Sequence, residues 1–340
     1  MKVIPVFIPQ AGCPHQCVFC NQKTISGESE TSIENAQKQI EKYIQWLKPS
    51  VENQLAFFGG SFTALSSGMQ EELLMLSDYY IRRGDIGSVR VSTRPDYVDE
   101  ERLALLQKHH VTLVELGVQS LDDKVLQQAG RGHLAEDVYN AVAVLRENGM
   151  QIGIQLMLGL PGQNWVSLFH TVEKVLLLRP HIARIYPVLV IKGTALAEMF
   201  LRGTYSPLTM DVAMAQASYV YVKLSAAGIA VIRTGLQADE EICAEGNIIA
   251  GPFHPSFGEM AESFSYKSWV SDALDDIAQC GREIIIKNPR KMTSKIKGLN
   301  RRNEVYWQQK YGKEAKIVIR EENETTEAVF SIRTQVGEVV

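Results

Sequence analysis

Cysteine is scarce in this sequence, and its placement matters more than its number. The chain has 340 residues and five cysteines, three of which, Cys13, Cys17 and Cys20, fall within eight positions; Cys243 and Cys280 stand far away. A small disulfide-stapled fold needs spaced, pairable cysteines, so that class is excluded. Long apolar runs are also missing: none approaches the ~18 residues that span a bilayer. The chain enters the strand-like stretch KVIPVFIP at once, without the basic and apolar regions of a secretory leader. Charge of one sign is not in excess. The net charge is −4, which excludes a global attraction to nucleic acid and leaves only local patches. Internal repeats and low-complexity linkers are absent. A reduced, cytoplasmic protein is the expectation.

What remains is ordinary globular composition, 45% hydrophobic and 22% charged, in a chain long enough to bury a full core. Short runs rich in Val, Ile and Leu predict strands at about 2–8, 53–59, 88–94, 112–119, 151–159, 183–191 and 229–236. Helical periodicity fills the gaps at about 33–47, 69–83, 99–110, 135–149, 164–179 and 210–228. Near-continuous apolar strands joined by helices imply a parallel sheet covered on its outer face. The fold class expected is α/β: a partial or near-complete (β/α) barrel over residues 1–260, the alternative being an open doubly wound sheet. Residues 261–340 have a different texture and predict a small α+β appendage. It begins with a helix at about 266–281, carries a second at about 303–311, and ends in a hairpin of AKIVIR and EAVFSIR.

The cysteines form a C-x3-C-x2-C run in GCPHQCVFCNQ. A structural zinc site needs four ligands; here there are three thiols, with His15 inside the loop as a conceivable fourth. A [4Fe–4S] cluster normally takes four thiolates. Three would leave one iron with an open position, and a missing fourth ligand is a binding site.

In a barrel, ligand contacts gather at the C-terminal strand ends, and each end here carries polar residues. The second strand runs into Gly59, Gly60 and Ser61, where glycine permits close backbone approach. The third ends in Ser92, Thr93 and Arg94 ahead of Pro95, with Asp96 or Asp99 as a possible helix cap. The fourth holds Glu115, Gly117 and Gln119 on one face by the period of two, and Arg131 follows twelve residues after Gln119. The fifth is interrupted by Gln155 before a Gly-Leu-Pro-Gly turn. A buried polar residue needs a partner, and a series of them at successive strand ends implies a shared ligand.

The C-x3-C-x2-C loop after a first barrel strand resembles the radical S-adenosylmethionine (SAM) superfamily. GVQS, the later Arg and LMLGLPGQ resemble the branch of oxygen-independent coproporphyrinogen oxidase and the Elongator catalytic subunit. CPHQCVFCNQ, GGSFTAL, TRPDYVDEERL, LGVQSLDDKVL and IYPVLVIKGTAL resemble the Elongator type more closely, over about residues 1 to 260. The resemblance implies a [4Fe–4S] cluster on Cys13, Cys17 and Cys20, whose open iron chelates SAM. An electron from the cluster then cleaves SAM to a 5′-deoxyadenosyl radical. Phe19 fits the aromatic expected before the third cysteine. Gly59 and Gly60 match a turn whose backbone receives the SAM amino group, with Ser61 in place of an acidic residue. Gln119, Arg131 and Gln155 would bind SAM, joined by Ser92, Thr93, Arg94 and Glu115. With the cluster strand at residue 2 and about 80 residues after the barrel, a short form is expected, without the RNA-binding extension and acetyltransferase domain.

By the same resemblance Tyr186 and Lys192 lie beside the substrate. The loop RTGLQADEEICAEGNIIAGPFHPSFGE adds Gln237, Asp239, Glu240, Cys243 and His254, of which Cys243 and His254 are expected to be structural. Residues 287–302 carry seven basic and no acidic residues and could follow a phosphate backbone. The function expected is therefore radical modification of tRNA or another RNA. Radical chemistry on a metabolite, and a non-catalytic protein that holds a cluster and SAM, are the alternatives. The electron would come from an external flavodoxin- or ferredoxin-type donor.

Overall fold

Seven of the short apolar runs pair into one parallel sheet. The computed structural model describes residues 2–8, 13, 15–21, 32–236, 244, 246–277, 283–312, 316–322, 329–333 and 338–339. The chain divides into two units: Met1–Ala213 with Lys223–Pro255, and Met214–Val222 with Ser256–Val340.

In the first unit the strands are β1 (Val3–Ile8), β2 (Gln54–Gly59), β3 (Ser88–Thr93), β4 (Val111–Gln119), β5 (Gln151–Leu158), β6 (Ile182–Pro187) and β8 (Ala230–Thr234). They lie side by side in the order β1-β2-β3-β4-β5-β6-β8, all parallel. Sequential order with right-handed crossovers puts the connecting helices on one face. These are α1 (Ile33–Ile44), α2 (Ser67–Arg82), α3 (Glu100–Lys108), α4 (Asp123–Gln128), α5 (Ala135–Glu147), α6 (Trp165–Leu178) and α7 (Ala195–Leu201), while α8 (Met210–Ala226) is divided between the two units. The other face curls around a cavity lined by side chains from all seven strands. The sheet ends at β1 and β8 and is a half-barrel, not an open doubly wound sheet. A separate pair, β7 (Val190–Ile191) and β9 (Ile248–Ala250), is antiparallel.

Local chemistry sets the helix starts. Ser66 accepts a hydrogen bond from the Met69 N–H, Asp99 from Arg102 N–H, Asp122 from Lys124 and Val125, and Asn164 from Ser167. Asp99 is thus the cap after β3, while Asp96 serves another purpose. The strand expected at 183–191 is two strands, broken after Pro187. The short helices α4 and α7 lie in stretches that periodicity did not single out.

In the second unit, β10 (Glu283–Asn288) sits in the sheet β11-β10-β12-β13, with β11 (Lys316–Glu321), β12 (Val329–Arg333) and β13 (Glu338–Val339). The expected terminal hairpin is not formed: β11 pairs parallel with one edge of β10, and β12 pairs antiparallel with the other. The reason is that Ile284, Ile285 and Ile286 are all fully buried; so continuous an apolar run takes the interior of a sheet and needs a strand on each side. Helices α9 (Phe257–Ile277), α10 (Thr293–Lys297) and α11 (Arg302–Tyr311) pack on it through Val270, Leu274, Ile296 and Trp307. Asn303 in α11 donates to Ser263 of α9 and to the Ile296 carbonyl of α10, tying the three together.

Candidate functional site

The cysteine loop is seated by backbone bonds to two distant turns. The Val18 N–H donates to the Ala129 carbonyl at 3.1 Å, and Leu196 N–H donates to the Val18 carbonyl at 2.8 Å. The Asn21 side-chain amide donates to the Lys192 carbonyl at 3.0 Å. Beneath the loop runs Gly130-Arg131-Gly132, both glycines at positive φ. A Cβ on Gly132 would stand 2.5 Å from the His15 ring. Side-chain-free, left-handed backbone is what lets the two segments meet.

Arg131, between those glycines, joins the loop to the end of β4. Its Nη1 lies 3.2 Å from Cys17 Sγ, and its Nη2 donates to the Gly117 carbonyl. Its Nε donates to His133 Nε2 at 3.3 Å. Burial, helped by the Arg131 cation, pushes His133 down to about 4. The neutral ring can then accept from Arg131 and donate through Nδ1 to the Leu134 carbonyl, 3.2 Å away. Gly117 leaves the room required: a Cβ there would lie 3.2 Å from both Arg131 Nη2 and the Gln119 amide. Gln119 itself has φ +68 and accepts from the Gln155 amide at 3.1 Å.

Cys13, Cys17 and Cys20 are all thiols. Desolvation and the neighbouring Cys17 push the Cys13 thiol up; Arg131, Arg94 and a hydrogen bond from the Ser61 backbone oppose this. So the first cysteine faces the Gly59-Gly60-Ser61 turn. Among the described residues no three His, Cys, Asp or Glu side chains converge on one metal ion. A [4Fe–4S] cluster spreads its thiolates over separate irons and has no need of such convergence. Three thiols with cationic neighbours suit a thiolate-held cluster better than a zinc ion, which needs a fourth ligand.

The turn after β2 is locked to the end of β3. Ser61 Oγ and Thr63 Oγ1 lie 2.9 and 2.5 Å from Thr93 Oγ1, and the Arg94 N–H donates to Ser61 Oγ at 3.2 Å. Arg94 is spent on Asp96, through Nε at 2.9 Å and Nη2 at 2.7 Å. Ser61 is buried behind the turn and acts through its backbone and its grip on Thr93, while Gly59, Gly60, Ser92, Thr93 and Arg94 line the cavity.

The cavity holds about 1260 Å³. It brings together the three cysteines, Phe19, Gln119, Arg131, Gln155 and Tyr186. Phe19 also packs against the core around Val125 and Leu196. Lys192 is exposed and does not line this cavity; its backbone carbonyl, not its ammonium, meets the cysteine loop. Glu115 lies deeper than expected for a strand-end ligand, clamped by Arg90 and Arg184. Those two arginines were not singled out from the sequence. Each is a charged residue inside an apolar strand, the same signal that drew attention to Glu115. Gln237, Asp239, Glu240, Cys243 and Cys280 lie outside the described residues.

The basic segment 287–302 is in the second unit, and part of its charge is neutralised locally. Lys287 meets Glu322 at 3.6 Å, Arg301 meets Glu304 at 2.7 Å, and Lys295 pairs with Glu262.

The chain is similar to known proteins. The family model described as the Radical SAM superfamily matches residues 7–175, and that described as the Radical_SAM C-terminal domain matches residues 180–266. An uncharacterized protein of Methanocaldococcus jannaschii is 30% identical over 217 residues, 60% of this chain and 66% of that one. The tRNA uridine(34) acetyltransferase of the same organism is 26% identical over 260 residues, 64% of this chain and 48% of that one. The solved structure of archaeal Methanocaldococcus infernus Elp3 with an N-terminal deletion superposes with TM-score 0.61 at 23% identity, covering 83% of this chain and 65% of that one. That likeness is one of fold. The chain spans about half to two thirds of the length of these relatives. Among the described residues, no helix is long and apolar enough to cross a membrane.

Proposed function

The chain belongs to the radical SAM superfamily, and from that premise we propose that it is a radical SAM enzyme that modifies tRNA or another RNA. Members of the superfamily bind a [4Fe–4S] cluster and SAM; together these supply a 5′-deoxyadenosyl radical when an external electron arrives. In this chain Cys13, Cys17 and Cys20 would hold the cluster. The Gly59-Gly60 turn, which lines the cavity, and the side chains of Gln119, Arg131 and Gln155 would receive SAM. Arg131 would position the cysteine loop against the end of β4, because it bonds the Gly117 carbonyl and reaches Cys17 Sγ at once. The single observation that carries the reading is this contact: Arg131 Nη1 within 3.2 Å of Cys17 Sγ while the same guanidinium grips Gly117.

The RNA part is supported by the relative named as a tRNA uridine(34) acetyltransferase and by the surface of residues 287–302. Arg290, Lys291 and Arg302 there are exposed and form no ion pair among the described residues. They and Lys297 would contact phosphates, while the electron donor, of flavodoxin or ferredoxin type, would supply the barrel.

The experiment is anaerobic reconstitution with iron and sulfide, followed by SAM and a strong reductant, with 5′-deoxyadenosine measured with and without bulk tRNA. Production that tRNA accelerates is the expected result. Production indifferent to tRNA would overturn the RNA reading and point to a metabolite, and none at all from a reducible cluster would leave only a binding protein. Replacing Arg290, Lys291, Lys297 and Arg302 by Gln should flatten the salt dependence of RNA binding by about one unit of slope per lost phosphate contact. Replacing Lys295 alone should change it little, because its charge is already paired.

A further inference from the structure

Below the strand-end residues proposed to receive SAM, the half-barrel holds a buried charge cluster that does not balance. Arg90 Nη1 donates to Glu115 Oε1 at 2.9 Å. Arg184 donates to the same carboxylate through Nε at 2.6 Å and Nη2 at 3.3 Å, and through Nη1 to the Tyr186 hydroxyl at 3.0 Å. Two guanidiniums thus share one carboxylate, and the cluster keeps one positive charge. Its three side chains are 4%, 5% and 17% exposed for Arg90, Glu115 and Arg184.

On the cavity wall the Arg184 guanidinium also lies 4.7 Å from the Phe58 ring centroid, a contact that softens the charge without neutralising it. Glu115 is the only carboxylate among the described residues lining the cavity. The two arginines nearest the cysteine loop are committed elsewhere, Arg94 to Asp96 and Arg131 to Gly117, His133 and Cys17. Arg90 also retains a buried Nε with no hydrogen-bond partner. A strut across the sheet would need only one arginine per carboxylate. A buried excess cation is costly unless an anion joins it, and guanidinium forks match carboxylate and phosphate geometry.

We infer that Arg90 and Arg184 form an anion-binding site in the middle of the half-barrel, and that the substrate enters with a carboxylate or phosphate group held there. Glu115 stands beside Gly153 and Gln119 beside Leu156 of β5, which puts Glu115 roughly 10 Å along the sheet from the Gln119 level. The anion site itself rests on the charge cluster alone; calling its ligand the substrate rests on the function proposed above.

The test uses the full-length, cluster-loaded protein with saturating SAM. It is titrated with inorganic phosphate and with malonate against chloride at matched ionic strength, by calorimetry and thermal denaturation. Saturable binding of at least one of the two anions is expected, with SAM affinity unchanged. Arg184→Gln should weaken that binding about tenfold or more. Glu115→Gln, which leaves both guanidiniums without their carboxylate, should show a larger anion-specific rise in Tm than wild type. Phosphate without malonate would assign a phosphorylated ligand, and malonate without phosphate a carboxylic one. An equal response to chloride, or displacement of the anion by SAM, overturns the proposal. Should Arg184→Gln fail to fold, Glu115→Gln decides: no anion-specific rescue means a purely structural cluster. Iron and sulfide content and SAM binding, read on the same samples, report separately on the cofactor assignment.

Discussion

The upper and middle layers of the half-barrel are built from the same strands and solve opposite problems. At the strand ends, Gln119, Gln155 and the Gly59-Gly60 turn are polar but uncharged, and glycine at 59, 117, 130 and 132 keeps backbone exposed or segments close. In the middle, Arg90, Glu115 and Arg184 are charged and bonded to one another, and a single glycine makes room for them. Gly153 of β5 lies beside Glu115 in the sheet register, and a Cβ there would sit 2.9 Å from the Glu115 Cγ. That gap lets Arg184 of β6 reach across β5 to Glu115 of β4. Strand β4 thus carries both designs within five residues, Glu115 to Gln119. One layer lines the cavity with neutral amides, bare backbone and the guanidinium of Arg131, and the other holds three bonded charges in a fixed place.

The comparison can be broken layer by layer. The largest effect belongs to the upper layer: Cys17→Ala should abolish both cluster retention and SAM cleavage, measured as iron and sulfide content and 5′-deoxyadenosine. Its Tm before reconstitution should stay near wild type, because the loop is seated by backbone bonds at Val18. Next comes acid sensitivity from His133. Its folded value of about 4 lies below the ordinary 6.5, so the unfolded chain binds the proton first. Stability from this group is full above about pH 6.5 and falls as pH drops toward 4, by about 3 kcal/mol in all. His133→Asn should remove that component from the pH dependence of urea unfolding. The smallest effect is in the middle layer. Gly153→Ala should destabilise by about 2 kcal/mol through overpacking, measured by urea denaturation, while cluster content stays at the wild-type level.

The half-barrel was legible because its strands are continuous apolar runs and its helices begin at Ser, Asp and Asn caps, signals that lie within a few residues. The cysteine loop was legible for the same reason. What the period of two could not reveal is the partner. It put Glu115 on the inner face with Gln119, but whether an inward carboxylate meets a ligand or an arginine depends on residues 25 and 69 positions away. The basic segment teaches the same lesson, since Glu262, Glu304 and Glu322 take part of its charge from elsewhere in the chain. The terminal hairpin misled because two adjacent alternating runs look like partners until a third, more apolar strand comes between them.

The seating of the cysteine loop has a consequence for the making of the protein. Its three thiols are synthesised first, yet one of its anchors, Ala129, comes more than a hundred residues later, and the other, Leu196, later still. At ribosomal speeds of about 5–20 residues per second, the thiols wait on the order of ten seconds or more before their seat exists. During that interval they are open to oxidation and to whatever metal ions are at hand. The anchors at Ala129 and Leu196 must therefore be made before the loop can be seated, and loading of iron and sulfide onto it would follow them.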